Sequence, residues 1–172
     1  ARMTAPDLPY DRDGQVSAQG RVDEKVLDEM LADPWFHQPP PKSTGRERFG
    51  QGFAERLFER IAGPDAVATA VALTARSIAH AVATWVPGAP EVVASGGGVH
   101  HPLLWRSLEQ ALEVHRAGTV LRRFDDLFFD GDAKEAVAFA LLGHLTLHGQ
   151  PGNLPAATGA IGPRVLGAIS GP

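Results

Sequence analysis

Three consecutive glycines, Gly96, Gly97 and Gly98, sit in "EVVASGGGVHHPLL" (residues 91–104), between an apolar run and a proline suited to a helix start. A glycine turn from strand to helix lets backbone N–H groups meet phosphate and lets a ligand lie close to the main chain. The run is neither G-x-G-x-x-G nor a Walker loop, and no Gly-Lys-Ser/Thr follows it. The residue types leave two readings open: nucleotide contact, or a plain tight turn.

The histidines raise metal chemistry. His100 and His101 are adjacent, and His144 and His148 are four apart, a spacing that puts both on one helix face. No intervening Glu makes an H-E-x-x-H motif and no third ligand is evident, so ordinary surface or core histidines are the default. "YDRDG" (residues 10–14) opens like a calcium loop but lacks the later acidic ligands, which favours a hydrogen-bonded Asx turn. Asp125, Asp126, Asp130 and Asp132 read most simply as a solvated loop.

Two further segments carry polar groups at expected helix starts. In "PPPKSTGRE", Lys42, Ser43, Thr44 and Arg46 bring donors to a helix N-terminus, where anions are favoured; equally, Thr44 and Glu47 have the spacing of a capping box. Glu135 could bind a polar substrate, or reach back to the Asp132 N–H as the third residue of its own helix. No Ser–His–Asp or Cys–His order is recognisable.

These residues need elements to position them. Val22, Val26, Leu27, Met30 and Leu31 follow a helical period that Pro34 ends, and Pro39 to Pro41 must be extended. A helix is expected from near Gly45 through Phe49, Phe53, Leu57 and Ile61. Gly63 and Pro64 break it, and Pro64-Asp65 suits the first turn of a long alanine-rich helix reaching Trp85. Val92 to Ala94 is a buried-strand candidate, Pro102 opens a helix through Leu112, and Thr119 to Leu121 suits a second strand. Asp132 and Glu135 lead into a helix over Ala136 to Leu147, followed by a Gly/Pro-rich tail with a last apolar piece, Val165 to Ile169. Helices first, then strand–helix–strand–helix, implies an α/β arrangement with parallel pairing. Two strands are few for a self-sufficient sheet, which suggests a part of something larger.

Composition narrows the classes. The 172 residues are 44% hydrophobic and 21% charged, as in a globular domain, and the net charge of −4 gives no electrostatic reason to expect nucleic acid. Cysteine is absent, which removes disulfides and thiolate sites and suits a reducing cytoplasm. No apolar stretch is expected to span a bilayer, so a membrane is not an expected partner.

Taken together and in order, "LPYDRDG", "PPPKSTGRERF", "VVASGGGVHHPLL", "DAKEAVAFALL" and "PGNLPAATGA…VLG" resemble the C-terminal half of the anhydro-N-acetylmuramic acid kinases, over nearly the whole chain. The resemblance implies a helix-rich α/β fold, the C-terminal half of a two-domain actin-like (ribonuclease H-like) ATPase, with residues 1–172 forming one ATPase subdomain. It implies a cytoplasmic sugar kinase that uses ATP and Mg2+. Water opens 1,6-anhydro-N-acetylmuramate and the sugar is phosphorylated to N-acetylmuramate 6-phosphate, recycling peptidoglycan. Gly96, Gly97 and Gly98 match the family's glycine loop, expected near the adenosine side of the nucleotide. Glu135 matches an acidic residue expected to face the sugar. Lys42, Ser43, Thr44 and Arg46 match a proline-led motif expected to be architectural or cleft-lining.

Two departures qualify the match. His101 stands where the family usually has Asn. The phosphate loop (Gly-Thr-Ser-x-Asp-Gly) and the aspartate expected as general base belong to an N-terminal half not found in these residues. No catalytic residue or metal ligand is therefore assigned, and the chain is expected to be a fragment or separate domain, inactive alone. Its expected partners are the absent half, nucleotide and anhydro-sugar, with a homodimer formed through apolar surface left uncovered. The alternative is a non-catalytic, degenerate ATPase half or chaperone-like interaction module.

Overall fold

The computed structural model describes residues 7, 9–115 and 117–170; Pro6 and Leu8 of the lead-in lie outside the described residues. Short 3-10 turns at Arg12–Gly14 and Ser17–Gln19 precede helix α1, Glu24–Leu31. Asp23 starts α1 by accepting the Val26 N–H at 3.0 Å. Pro34 does more than end that helix. Capped by Asp33, it opens a second short helix, α2, Pro34–His37.

The expected helix from Gly45 to Ile61 is two helices, α3 (Arg46–Phe49) and α4 (Gln51–Arg60). Gly50 divides them at φ −106° and ψ −144°, where an added Cβ would lie 2.0 Å from the Arg46 carbonyl oxygen. A backbone that approaches its own preceding turn this closely admits only glycine. Thr44 is not the cap either. Gly45 takes that position, and its N–H donates to Glu47 Oε1 at 2.6 Å.

Helix α5, Gly63–Trp85, is the axis of the molecule, with Pro64 and Asp65 in its first turn as the sequence suggests. It is long and apolar enough to cross a membrane, contrary to the expectation that no stretch would be. Its packing is that of a core helix, with Ala66, Ala68, Ala75 and Ala79 at 0–3% exposure. Alanine lets neighbouring helices approach closely without loss of side-chain entropy. Val26, Leu57 and Ile61 pack around Ala66, and Leu27 and Phe36 around Ala72 and Leu73. The lead-in is pinned to the start of α5: Arg21 N–H donates to Asp65 Oδ1 at 2.8 Å and Asp23 N–H to Thr69 Oγ1 at 3.0 Å.

Strands β1 (Glu91–Ala94) and β2 (Val120–Arg123) pair in parallel, with Val92 opposite Leu121 and Ala94 opposite Arg123. Helix α6, Pro102–His115, connects them and packs on α5. Only one sheet face is covered. Val92, Ala94 and Leu121 meet Ala75, Ala79, Leu108 and Leu112, whereas Val93 and Val120 are exposed, so β1 is half-buried rather than buried. The chain is thus a helix-rich α/β arrangement around a small parallel sheet.

After β2, 3-10 turns at Phe124–Asp126 and Gly131–Ala133 lead into α7, Lys134–Leu147, two residues earlier than expected. The Asp132–Glu135 capping box does not form, because Asp130 takes the Asp132 N–H at 2.9 Å. No residue of α7 is buried, although it is apolar on all sides: Val137, Phe139, Leu141 and Leu147 are all exposed. A short helix α8, Pro155–Thr158, follows, and the apolar piece from Val165 to Ile169 is irregular.

Candidate nucleotide-facing site

Parallel pairing decides where the chemistry collects. Both strands end at the same edge, so the turn after β1 and the segment after β2 emerge side by side, the usual location for ligands in α/β sheets. The first carries Gly96 to Gly98; the second leads to Lys134 and Glu135. Lys134 Nζ donates to Ser95 Oγ at 2.5 Å, fastening the first turn of α7 to the residue before the glycines. Glu135 is exposed beside this link.

The glycines differ in what they permit. Gly96 has φ +89°, a left-handed conformation that favours glycine, and an added Cβ there or at Gly97 would meet nothing within 4 Å. The space in front of this backbone is open. At Gly98 the Cβ would touch only Leu104 Cδ2, at 3.4 Å. Val99, 7% exposed, anchors the turn to the core.

A cleft of about 440 Å³ runs along the turn, lined by Gly97, Gly98 and His101 on one side and Tyr10, Asp11 and Asp13 on the other. Sequence reading did not bring these two segments together. His101 Nε2 lies 3.0 Å from Asp11 Oδ2, and both side chains are largely buried. The other ring nitrogen, Nδ1, accepts the Leu104 N–H at 3.1 Å and so caps α6. Asp11 also accepts the N–H groups of Val16 at 2.7 Å and Ser17 at 3.2 Å, five and six residues on, so it closes a wider loop than the two-residue Asx turn expected of "YDRDG". Burial alone would push the Asp11 pKa up. The Ser17 hydroxyl, the Val16 N–H, His101 and the Ser17 N–H together outweigh burial and hold the carboxyl below its usual 3.8.

The proline-led motif lies elsewhere. Lys42 Nζ donates to the Trp35 and Phe36 carbonyls at 2.8 and 3.0 Å and sits 4.5 Å from the Trp35 ring centre, so its charge serves the end of α2. Ser43, Thr44 and Arg46 are exposed, and none of the four lines the cleft. The motif does meet the tail: an added Cβ on Gly159 would lie 3.3 Å from Pro41 Cγ. His144 and His148 stack with ring centres 4.2 Å apart. Among the described residues no group of three or more His, Asp or Glu side chains could hold a metal ion.

Comparison with known proteins agrees with the ordered motifs. The family model described as anhydro-N-acetylmuramic acid kinase matches residues 2–172. A relative of that name from Xanthomonas axonopodis pv. citri is 43% identical over 163 residues, covering 94% of this chain and 42% of the relative. One from Synechococcus elongatus is 40% identical, covering 98% of this chain and 45% of the relative. One from Gloeobacter violaceus is 46% identical, covering 88% and 40%. The chain spans less than half the length of these relatives. On this match over nearly all its residues, the chain belongs to the anhydro-N-acetylmuramic acid kinase family.

Proposed function

We propose that this chain forms the C-terminal ATPase subdomain of a two-domain, actin-like sugar kinase of the cytoplasm. The whole enzyme opens 1,6-anhydro-N-acetylmuramate with water and phosphorylates it to N-acetylmuramate 6-phosphate, in peptidoglycan recycling. Family membership over the chain's full length supports the reaction class. The observation that carries this chain's share is the open backbone of Gly96 and Gly97 on the sheet edge from which Glu135 also emerges.

ATP, when bound, supplies the transferred phosphoryl group. Gly96, Gly97 and Gly98 offer main chain against which the nucleotide's adenosine side lies, with no side chain to exclude it. Glu135 accepts hydrogen bonds from sugar hydroxyls and orients the ring, and its freedom from the capping box leaves both oxygens available among the described residues. Lys42, Ser43, Thr44 and Arg46 are architectural, holding the segment on which the tail packs. This chain contributes binding and orientation, through the glycine turn and Glu135.

The uncovered apolar surface of α7 supports a partner half. A helix apolar all round normally belongs to an interior. The relatives, more than twice as long, contain residues enough to cover it. The test is conversion of 1,6-anhydro-N-acetylmuramate and ATP by the full-length protein, read by mass spectrometry of the sugar phosphate. Turnover is expected there and not with the 172-residue chain. Robust turnover by this chain alone, or none by the full-length protein, overturns the reading.

A further inference from the structure

We propose that Asp11 is a positioning residue that locks the glycine turn through His101. The single imidazole performs two tasks that fix its protonation. Nδ1 accepts the Leu104 N–H, so it carries the lone pair, and Nε2 must be the protonated nitrogen that donates to Asp11 Oδ2. Residues 90 positions apart in sequence thereby close one end of the cleft. Asp11 is itself immobilised by the Val16 and Ser17 N–H groups, so it orients the ring rather than following it.

Backbone geometry is shaped for this contact. Gly14 has φ +72°, and an added Cβ there would come within 3.2 Å of His101 Cε1, so a side chain at this position would strain the backbone and crowd the ring. On the opposite side an added Cβ at Gly96 or Gly97 would meet nothing within 4 Å, and the turn is held by Val99, its one buried residue, and by the Lys134 bond to Ser95. The lock on His101 adds a hold on the cleft side of the turn, next to Gly97 and Gly98. Its consequence for nucleotide affinity rests on the reading of the glycine turn given above.

Two substitutions separate the two tasks. His101→Asn keeps an acceptor near the Nδ1 position and so the helix cap, but is too short to reach Asp11. His101→Gln keeps a donor near the Nε2 position and so the Asp11 bond, but loses the cap. Titration of the full-length protein with a non-hydrolysable ATP analogue is expected to show Gln within about twofold of the natural protein and Asn about tenfold weaker, the scale of one charge-assisted hydrogen bond. Amide hydrogen exchange over residues 97–101, short of the Leu104 amide that the cap protects, reads the lock without nucleotide. It is expected to be faster in the Asn variant than in the Gln variant, and 15N spectra are expected to show His101 protonated at Nε2 only. Equal exchange in both variants, or a ring protonated at Nδ1, overturns the lock. If the analogue binds no variant but exchange differs as expected, the lock stands and the nucleotide reading fails.

Discussion

Lys134 and Ser95 bind the first turn of α7 to the end of β1, one hydrogen bond joining the segment that carries Glu135 to the one that carries the glycines. Nothing in local sequence links these residues, 39 positions apart. The bond ties these two segments together at the start of α7, a helix with no buried residue of its own.

Removing that bond should therefore loosen the sugar side first. Lys134→Met in the full-length protein is expected to raise the sugar KM several-fold, on the scale of about 1 kcal/mol for one hydrogen bond, and to change kcat less. Ser95→Ala should act in the same direction. Steady-state kinetics with varied sugar checks this, and an unchanged KM in both variants would remove the link from the account.

Acidification should destabilise the fold in two stages. His80 is pushed below its ordinary 6.5 by burial first, then by His37, His115 and Lys42; its ring stands 5.1 Å from that of His37 and 6.3 Å from that of His115. The unfolded chain then binds the extra proton more readily, so this contribution is full above 6.5 and declines as pH falls below it. Asp11, lowered from 3.8, and Glu24, lowered from 4.5 chiefly by the Arg76 hydrogen bond, keep their contributions above those values and lose them below. Thermal melts from pH 7.5 to 5 should show a falling Tm, and His80→Gln should flatten that slope. A slope unaffected by the substitution would contradict the assignment.

Glycine substitutions should sort by what their Cβ meets. At Gly20 it would lie 2.2 Å from the Pro64 carbonyl oxygen and at Gly50 2.0 Å from that of Arg46, so alanine forces backbone apart at either site. We expect a loss of about 2 kcal/mol or more for each. At Gly63, where φ is +63° and no atom lies within 4 Å, alanine costs only about 1 kcal/mol of backbone strain. Chemical denaturation of the three variants checks the order.

Exposed Phe139, Leu141 and Leu147 on α7 should drive association of the isolated chain. Light scattering is expected to show particles larger than the 18.3 kDa monomer, and Phe139→Gln with Leu141→Gln should reduce them. A strictly monomeric chain at high concentration would argue against an uncovered interface.

Much of the scaffold was legible because its signals are local. Pro64 with Asp65 marks the start of α5 and Pro102 that of α6, and the short apolar runs mark both strands. The break at Gly50 was not legible, since the apolar period runs through Phe49, Phe53 and Leu57 without interruption and the cause is a contact with the Arg46 carbonyl. Asp132 and Glu135 carried a capping-box spacing, yet Asp130, two residues before Asp132, made the bond. The glycine turn was legible as a turn. Its far wall was not, because Asp11 and His101 stand 90 positions apart and only tertiary packing brings them together.

Gly97→Ala separates a nucleotide resting on the glycine turn from a plain tight turn. Its Cβ would meet nothing within 4 Å, so stability should change by less than about 0.5 kcal/mol, while a nucleotide lying on that backbone would meet the methyl group. Titration of the full-length protein with a non-hydrolysable ATP analogue should give a Kd at least about fivefold weaker than the natural protein, the scale of a modest steric misfit. An unchanged Kd with an unchanged Tm would contradict a nucleotide at the glycine turn.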